Sequence, residues 1–256
     1  MTSKEELRPI KLWVTSPGPN PWKPVMILEE LGLPIEYKLL FWEELMTPEF
    51  AKINPGGKVP VMYDPNTDLT LWESGAIILY LIEQYDTEKK LTYTSLKKKN
   101  LLNQWLMFQM SQQGPFFGQI GWLIIMPRFN YFHPDKVPSV IERYNKQSER
   151  ILNILNEALE GKDWLVGDKC TYADLSFFMW NVILPLSVQS PPGETPLSKY
   201  PNVMAWHNRM AVMESVKKTI ATRQKMMDEE GMGADALPKD TNAEEMLQKM
   251  KDNGAA

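Results

Sequence analysis

For roughly its first ninety residues the chain alternates strand and helix signals, and after Ser95 no strand signal appears again. That one switch of period confines the fold to two unlike units in series. A small mixed sheet and a helical bundle bury their apolar faces in different ways. Ile10 to Thr15 is β-branched and aromatic and predicts a strand. The turn cluster Ser16-Pro17-Gly18-Pro19-Asn20-Pro21 follows it. Trp22 to Gly32 then carries Met26, Ile27, Leu28 and Leu31 at helical spacing, with Gly32 placed as a C-cap. Ile35 to Leu40 predicts a second strand, and Thr47 to Ile53 a short helix stopped by Asn54-Pro55-Gly56-Gly57. Val59 to Tyr63 and Leu69 to Trp72 predict two strands about the turn Asp64-Pro65-Asn66. Ser74 opens an apolar helix through Ile77, Ile78, Leu81 and Tyr85. The element order is βαβ-α-ββα.

The second unit reads as helices only: Leu101 to Gln113, Pro115 to Phe129, Pro138 to Leu159, Tyr172 to Leu186 and Tyr200 to Arg223. The expected fold class is α/β plus all-α, with a first domain over 1–87 and a helical bundle over 95–225. Residues 226–256 are expected to be a polar, mobile tail, with Ala243 to Met250 as an exposed amphipathic helix. Twenty-eight basic against thirty-two acidic residues leave a net charge of −4, which argues against nucleic acid as a partner. A single cysteine, Cys170, excludes an internal disulfide, a Cys-x-x-Cys redox pair and a thiolate zinc cluster. His133 and His207 are far apart, so no metal is expected. Charges and prolines occupy the first thirty residues, where a secretory signal needs an apolar run. Apolar runs such as Gly121 to Pro127 are too short to span a bilayer. A cytoplasmic setting with no membrane partner is therefore expected. Gly231 to Ala236 spells GxGxxA, but acidic residues precede it where a dinucleotide site needs a strand.

Two segments carry candidate chemistry. In Lys58-Val59-Pro60-Val61 a proline interrupts a strand, which marks an edge or a special peptide bond. A cis bond there would leave Val59's backbone groups facing outward, open to an extended peptide ligand; an ordinary edge proline is the other reading. In Trp72-Glu73-Ser74-Gly75-Ala76, Ser74 suits an N-cap, and the free N–H groups of that first turn suit a carboxylate. Glu73 suits an ammonium group. Together they would read the amino-acid end of a small peptide; alone, Ser74 is a plain cap.

These residues resemble the glutathione transferase family. Asn54-Pro55-x-Gly57-Lys58-Val59-Pro60 followed by Glu73-Ser74-x-Ala76-Ile77 is similar to its glutathione-binding signature. The resemblance implies a thioredoxin-like first unit and an all-helical second one. Leu165-Val166-Gly167-Asp168 leading into Thr171-Tyr172-Ala173-Asp174 adds to it. Thr171 with Asp174 reads as a capping-box variant, which the resemblance makes the buried cap of the core helix. Gly18-Pro19-Asn20-Pro21-Trp22-Lys23, with Gln109-Met110-Ser111-x-x-Gly114-Pro115-x-Phe117-Gly118-Gln119, resembles the fungal nitrogen-regulator (Ure-type) subgroup.

The resemblance implies glutathione as co-substrate and an activating residue after the first strand. No cysteine or tyrosine stands between Val14 and Met26, so Asn20 is expected first and Ser16 second. Taken alone, Asn20 reads as a turn residue bonding its own backbone. A thiol of pKa about 8.5 lowered by ~2 units gains about 2.7 kcal/mol of preferential thiolate stabilisation and is mostly ionised at neutral pH. Glu73 and Ser74 would hold the γ-glutamyl end, Val59 and Pro60 the cysteinyl backbone, and Lys58 the glycyl carboxylate. Leu45 stands where relatives can carry a polar residue reaching that glycyl end. Phe108, Ser111, Gln112, Phe116, Phe117, Gln119 and Trp122 would line an apolar, adaptable second-substrate wall, each being equally a helix-core residue. The implied activity is thiolate attack on an apolar electrophile, in detoxification or secondary metabolism, with peroxidase as a variant, in a homodimer. The alternative is a glutathione-binding regulator without turnover.

Overall fold

The computed structural model describes residues 7–124, 137–188, 190–233 and 239. Four strands, β1 (Ile10–Val14), β2 (Ile35–Leu39), β3 (Val61–Asp64) and β4 (Leu69–Trp72), form one sheet in the order β2-β1-β3-β4. β1 and β2 are parallel, with Leu12 opposite Tyr37; β3 is antiparallel to both β1 and β4. The parallel pair needs a crossover, and α1 (Trp22–Leu31) supplies it. Gly32 ends α1 with φ 66°, a left-handed turn that glycine adopts without a Cβ penalty. Two short helices, α2 (Trp42–Leu45) and α3 (Pro48–Ala51), precede β3, and α4 (Ser74–Tyr85) closes the first unit. α2 was not legible in the sequence because one turn carries no periodicity.

The second unit contains α5 (Leu96–Phe108), a π-helical turn (Gln109–Gln113) and α6 (Gly114–Ile124) in unbroken succession. The expected break at Gly114-Pro115 does not occur. Pro115 withholds an N–H and crowds the carbonyl one turn back, and the wider π turn accommodates both defects. α7 (Pro138–Ala158), α8 (Tyr172–Ser187), α9 (Pro201–Ala211) and α10 (Glu214–Glu229) follow. The single helix expected over Tyr200 to Arg223 is two, because Met213 turns extended at ψ 138° with no glycine or proline to announce it. That turn lays α10 against α1, where Lys218 pairs with Glu29 at 2.6 Å and Ser215 donates to the Glu30 carboxylate. Residues 226–229, expected to open a mobile tail, continue α10 and bury Met227. Phe129, His133, the Ala243 to Met250 segment and the Trp122 side chain lie outside the described residues.

One buried cluster joins the units: Leu12, Met26, Ile77 and Ile78 of the first pack in the same core as Leu106, Phe177 and Trp206 of the second. Asp174 organises the second unit. It is fully buried, and its carboxylate accepts from Thr171 N–H (2.9 Å), Thr171 Oγ1 (2.6 Å), Leu165 N–H (2.9 Å) and Trp206 Nε1 (3.0 Å). Gly167, at φ 76°, lets Tyr93 approach so closely that an added Cβ would lie 2.3 Å from the phenol oxygen. Cys170 is half-buried, and burial pushes its thiol well above the ordinary value, so it is a poor nucleophile at neutral pH.

His207 on α9 stacks on Phe178 with ring centroids 4.5 Å apart, and burial pulls its imidazole down to about 4. The neutral form is therefore the folded form. Its contribution is complete above the unfolded value of 6.5 and is lost as pH falls towards 4. His207→Phe should remove up to about 3 kcal/mol of acid-induced destabilisation across that window. Urea unfolding of both proteins at several pH values checks this; parallel pH profiles would contradict it.

Candidate active site

The loop after β1 is fixed from beneath. The Ser16 carbonyl accepts from Trp22 Nε1 at 3.0 Å, and the Pro17 carbonyl accepts from Arg223 Nη2 at 3.1 Å. Ser16, one of the two expected activating residues, is fully buried with its hydroxyl donating to Glu230 at the end of α10. Its side chain is committed to the end of α10. Asn20 is half-buried at the start of α1, and its amide oxygen accepts from Trp180 Nε1 (3.1 Å) and Lys23 Nζ (3.4 Å).

Lys23 ties this loop to the rest of the site. It is buried, and its ammonium donates to Gln109 Oε1 at 2.6 Å and lies 3.1 Å from the Met110 sulfur. Desolvation pulls it down to about 7 against an upward pull from the Glu73 carboxylate. The Met110 sulfur also receives the Ser74 hydroxyl at 3.6 Å, and a Cβ on Gly75 would sit 3.3 Å from it. Asn20, Lys23, Met110 and the first turn of α4 are thus one connected group.

That first turn is open. Glu73, not Ser74, is the N-cap, and its carbonyl takes Ile77 N–H at 3.0 Å. The N–H groups of Ser74, Gly75 and Ala76 have no intrahelical partner, which suits an anion. Glu73 itself is held at φ 70°, a backbone conformation that costs a side-chain-bearing residue about 1–3 kcal/mol. Glu73 is exposed and directly precedes those amides in the chain.

The Lys58 to Pro60 segment is braced by Asn54. That buried amide donates to the Lys58 carbonyl at 2.6 Å and accepts from Gly56 N–H at 2.8 Å. Asn54 thereby explains the Asn-Pro-x-Gly-Lys spacing. The Val59–Pro60 bond is cis. β3 begins only at Val61 and is an inner strand, so the strand expected from Val59 is shorter and Pro60 lies just outside the sheet. Among the described residues, Val59's N–H and C=O have no backbone partner. Lys58 is exposed, and Leu45 is buried in a small cluster with Leu40, Phe50 and Val61.

The candidate wall residues separate by depth. Ser111 and Gln119 are exposed, and Gln112 is half-buried. Phe108 is half-buried with its ring 5.6 Å from Trp105, and Phe116 is half-buried 5.9 Å from Tyr144. Phe117 is only 2% exposed and belongs to the core, which removes it from any free face. Sequence reasoning missed Lys23, Gln109, Gln113 and Trp180. Lys23 and Trp180 stand in apolar helices, where a lysine or an indole reads as ordinary packing. The signal available was a charge on the inward face of α1. Among the described residues no group of three or more His, Cys, Asp or Glu could hold a metal, and no helix is long and apolar enough to cross a membrane.

Comparison with known proteins places this arrangement. The family profile "Glutathione S-transferase, N-terminal domain" matches residues 17–84 and "Glutathione S-transferase, C-terminal domain" matches 115–214. The glutathione S-transferase-like protein gedE of Aspergillus terreus is 41% identical over 84% of this chain and 96% of its own. Glutathione S-transferase 1 of Schizosaccharomyces pombe is 36% identical over 85% and 97%. The crystal structure of glutathione transferase URE2P5 from Phanerochaete chrysosporium superposes with a TM-score of 0.79 at 35% identity, covering 87% and 97% of the two chains. The same Phanerochaete protein has been cocrystallised with 1-(S-glutathionyl)-2,4-dinitrobenzene. Both halves of the family pattern are present over well over half of the sequence, and this chain belongs to the glutathione S-transferase family.

Proposed function

We propose that the protein binds glutathione, ionises its thiol beside Asn20 and directs the thiolate at an apolar electrophile held against α5 and α6. The supporting observation is the convergence of Asn20 and the open first turn of α4 through Lys23 and Met110. Glutathione's γ-glutamyl carboxylate fits the free N–H groups of Ser74 to Ala76, and its ammonium fits Glu73. Its cysteinyl backbone fits the unpaired groups of Val59 beside Pro60, and its glycyl carboxylate fits Lys58. Asn20 then donates to the sulfur. Leu45 offers no polar group to the glycyl end, so Lys58 carries that contact. Phe108, Phe116, Gln112, Ser111 and Gln119 remain for the second substrate, with Phe117 behind them as packing. The same reading carries a homodimer and a cytoplasmic setting.

The test is isothermal calorimetry with glutathione, followed by conjugation of 1-chloro-2,4-dinitrobenzene, in which sulfur bonds to the ring carbon and chloride leaves. Glu73→Gln should weaken glutathione binding about tenfold or more, as expected for losing a charged hydrogen-bond partner. Unchanged affinity in that variant would remove Glu73 from the site. A second reading, a glutathione-binding regulator without turnover, is favoured by 32% identity to Protein URE2 of Candida albicans over 79% of this chain. Tight binding with no turnover of aryl halides, other electrophiles or peroxides would select it.

A further inference from the structure

The Asn20 side chain has two ends, and only its amide nitrogen can donate to a thiolate. The oxygen and nitrogen of an amide are told apart by their neighbours. Here the indole decides. Trp180 Nε1 is a donor in every protonation state, so the atom that faces it at 3.1 Å must be the oxygen, and the Lys23 ammonium lies 3.4 Å from the same atom. The flipped amide would aim its hydrogens at the indole N–H. The nitrogen is consequently turned the other way, and it makes no hydrogen bond among the described residues while keeping contact with solvent.

As an ammonium, Lys23 heads a chain of buried side-chain amides. Its ammonium takes Gln109 Oε1, so Gln109 Nε2 points on to Gln113 Oε1 at 3.3 Å, and Gln113 Nε2 to Asn181 Oδ1 at 2.8 Å. Gln109 and Gln113 are fully buried in the π turn, and Asn181 follows Trp180 on α8. The donors on Asn20 are therefore two arms of one loop of hydrogen bonds that closes through α8. Trp180 is seated by two glycines of α6. A Cβ on Gly114 would lie 3.7 Å from its indole, and one on Gly118 only 3.3 Å. This gives a physical reason for the glycine pair in the sequence.

We propose that Trp180 is a positioning residue for Asn20: its indole N–H, with the Lys23 ammonium, pins the amide oxygen inward and commits the amide hydrogens to the glutathione sulfur. The inference rests on the proposed glutathione activation. Loss of the indole N–H leaves the amide held by Lys23 alone and free to present its oxygen, which repels a thiolate.

The experiment is an ultraviolet titration of the thiolate of bound glutathione in wild type, Trp180→Phe and Gly118→Ala. Trp180→Phe keeps an aromatic ring on Gly114 and Gly118 and removes the donor. It should raise the bound thiol's pKa by about one unit and cut the thiolate fraction at pH 7 about threefold, while the affinity for glutathione at pH 5, where the thiol is protonated in both proteins, changes less than about twofold. Gly118→Ala, which does not touch Asn20, should shift the titration in the same direction by less, and it keeps the test open should the indole variant fold poorly. A Trp180→Phe variant with the wild-type titration overturns the inference alone. Wild-type protein that leaves the bound thiol at its free value overturns the proposed activation and this inference with it.

Discussion

Asn20→Ala should raise the pKa of bound glutathione by about 2 units and, by linkage, weaken its binding at pH 7 about fourfold. Glutathione is gripped at its ends by Glu73, the α4 amides and Lys58 in the proposed complex, so at pH 5, where the thiol is protonated in both proteins, the affinity should be nearly unchanged. What the truncation removes is the side-chain hydrogen bond that favours sulfur as an anion, worth about 1.5–3 kcal/mol for a charged acceptor. A shift of about 2 units cuts the thiolate fraction at pH 7 by about 25-fold. The thiolate that remains is more basic and more nucleophilic, which recovers a factor of about 6–10, so kcat at pH 7 should fall by about threefold. Raising the pH should restore the rate, because only ionisation was lost. A rate deficit that persists at pH 9 would mean that Asn20 acts on something other than the thiol. Ser16→Ala should leave the bound thiol unaffected, since its hydroxyl is engaged by Glu230.

Asp174→Ala should have the largest effect on stability. The carboxylate accepts four hydrogen bonds, from two backbone amides, a hydroxyl and an indole, in a place that water does not reach. Each buried donor left unsatisfied costs about 1–3 kcal/mol, and even incomplete additivity gives a total of about 4 kcal/mol or more. For a chain of this size that corresponds to a fall in Tm of about 8–16 °C. Asp174→Asn keeps one acceptor oxygen and should lose roughly half as much. Below their transitions both variants should bind glutathione with wild-type affinity, because Asp174 makes no contact with the Asn20 or Glu73 groups. A melt within about 2 °C of wild type would contradict this account of the core.

The architecture was legible because its elements differ in period: short β-branched runs in the first unit and amphipathic helices in the second. Boundaries failed where the deciding event was tertiary. Met213 breaks α9 from α10 with no breaker residue, because α10 must reach Glu29 and Glu30 on α1. Pro115 should have ended a helix, and the π turn absorbed it. Among the site residues, the local motifs were readable: Asn54 braces Lys58 and Val59 within a few positions, and Glu73 adjoins Ser74. The residues that orient Asn20 were not. Lys23 meets Gln109 across 86 positions and Asn20 meets Trp180 across 160, and no spacing rule reaches that far. Asn20 was expected ahead of Ser16 only by resemblance; the arrival of Glu230 on Ser16 and of Trp180 on Asn20 is what separates them physically.

The most direct measurement is the ultraviolet titration of glutathione bound to the wild-type protein. The arrangement of Asn20, Lys23 and Trp180 predicts a thiol that ionises near pH 6.5, about 2 units below the free value. Glutathione that binds and still titrates near 8.5, or that does not bind to folded protein at all, would contradict the claim that this site makes a thiolate.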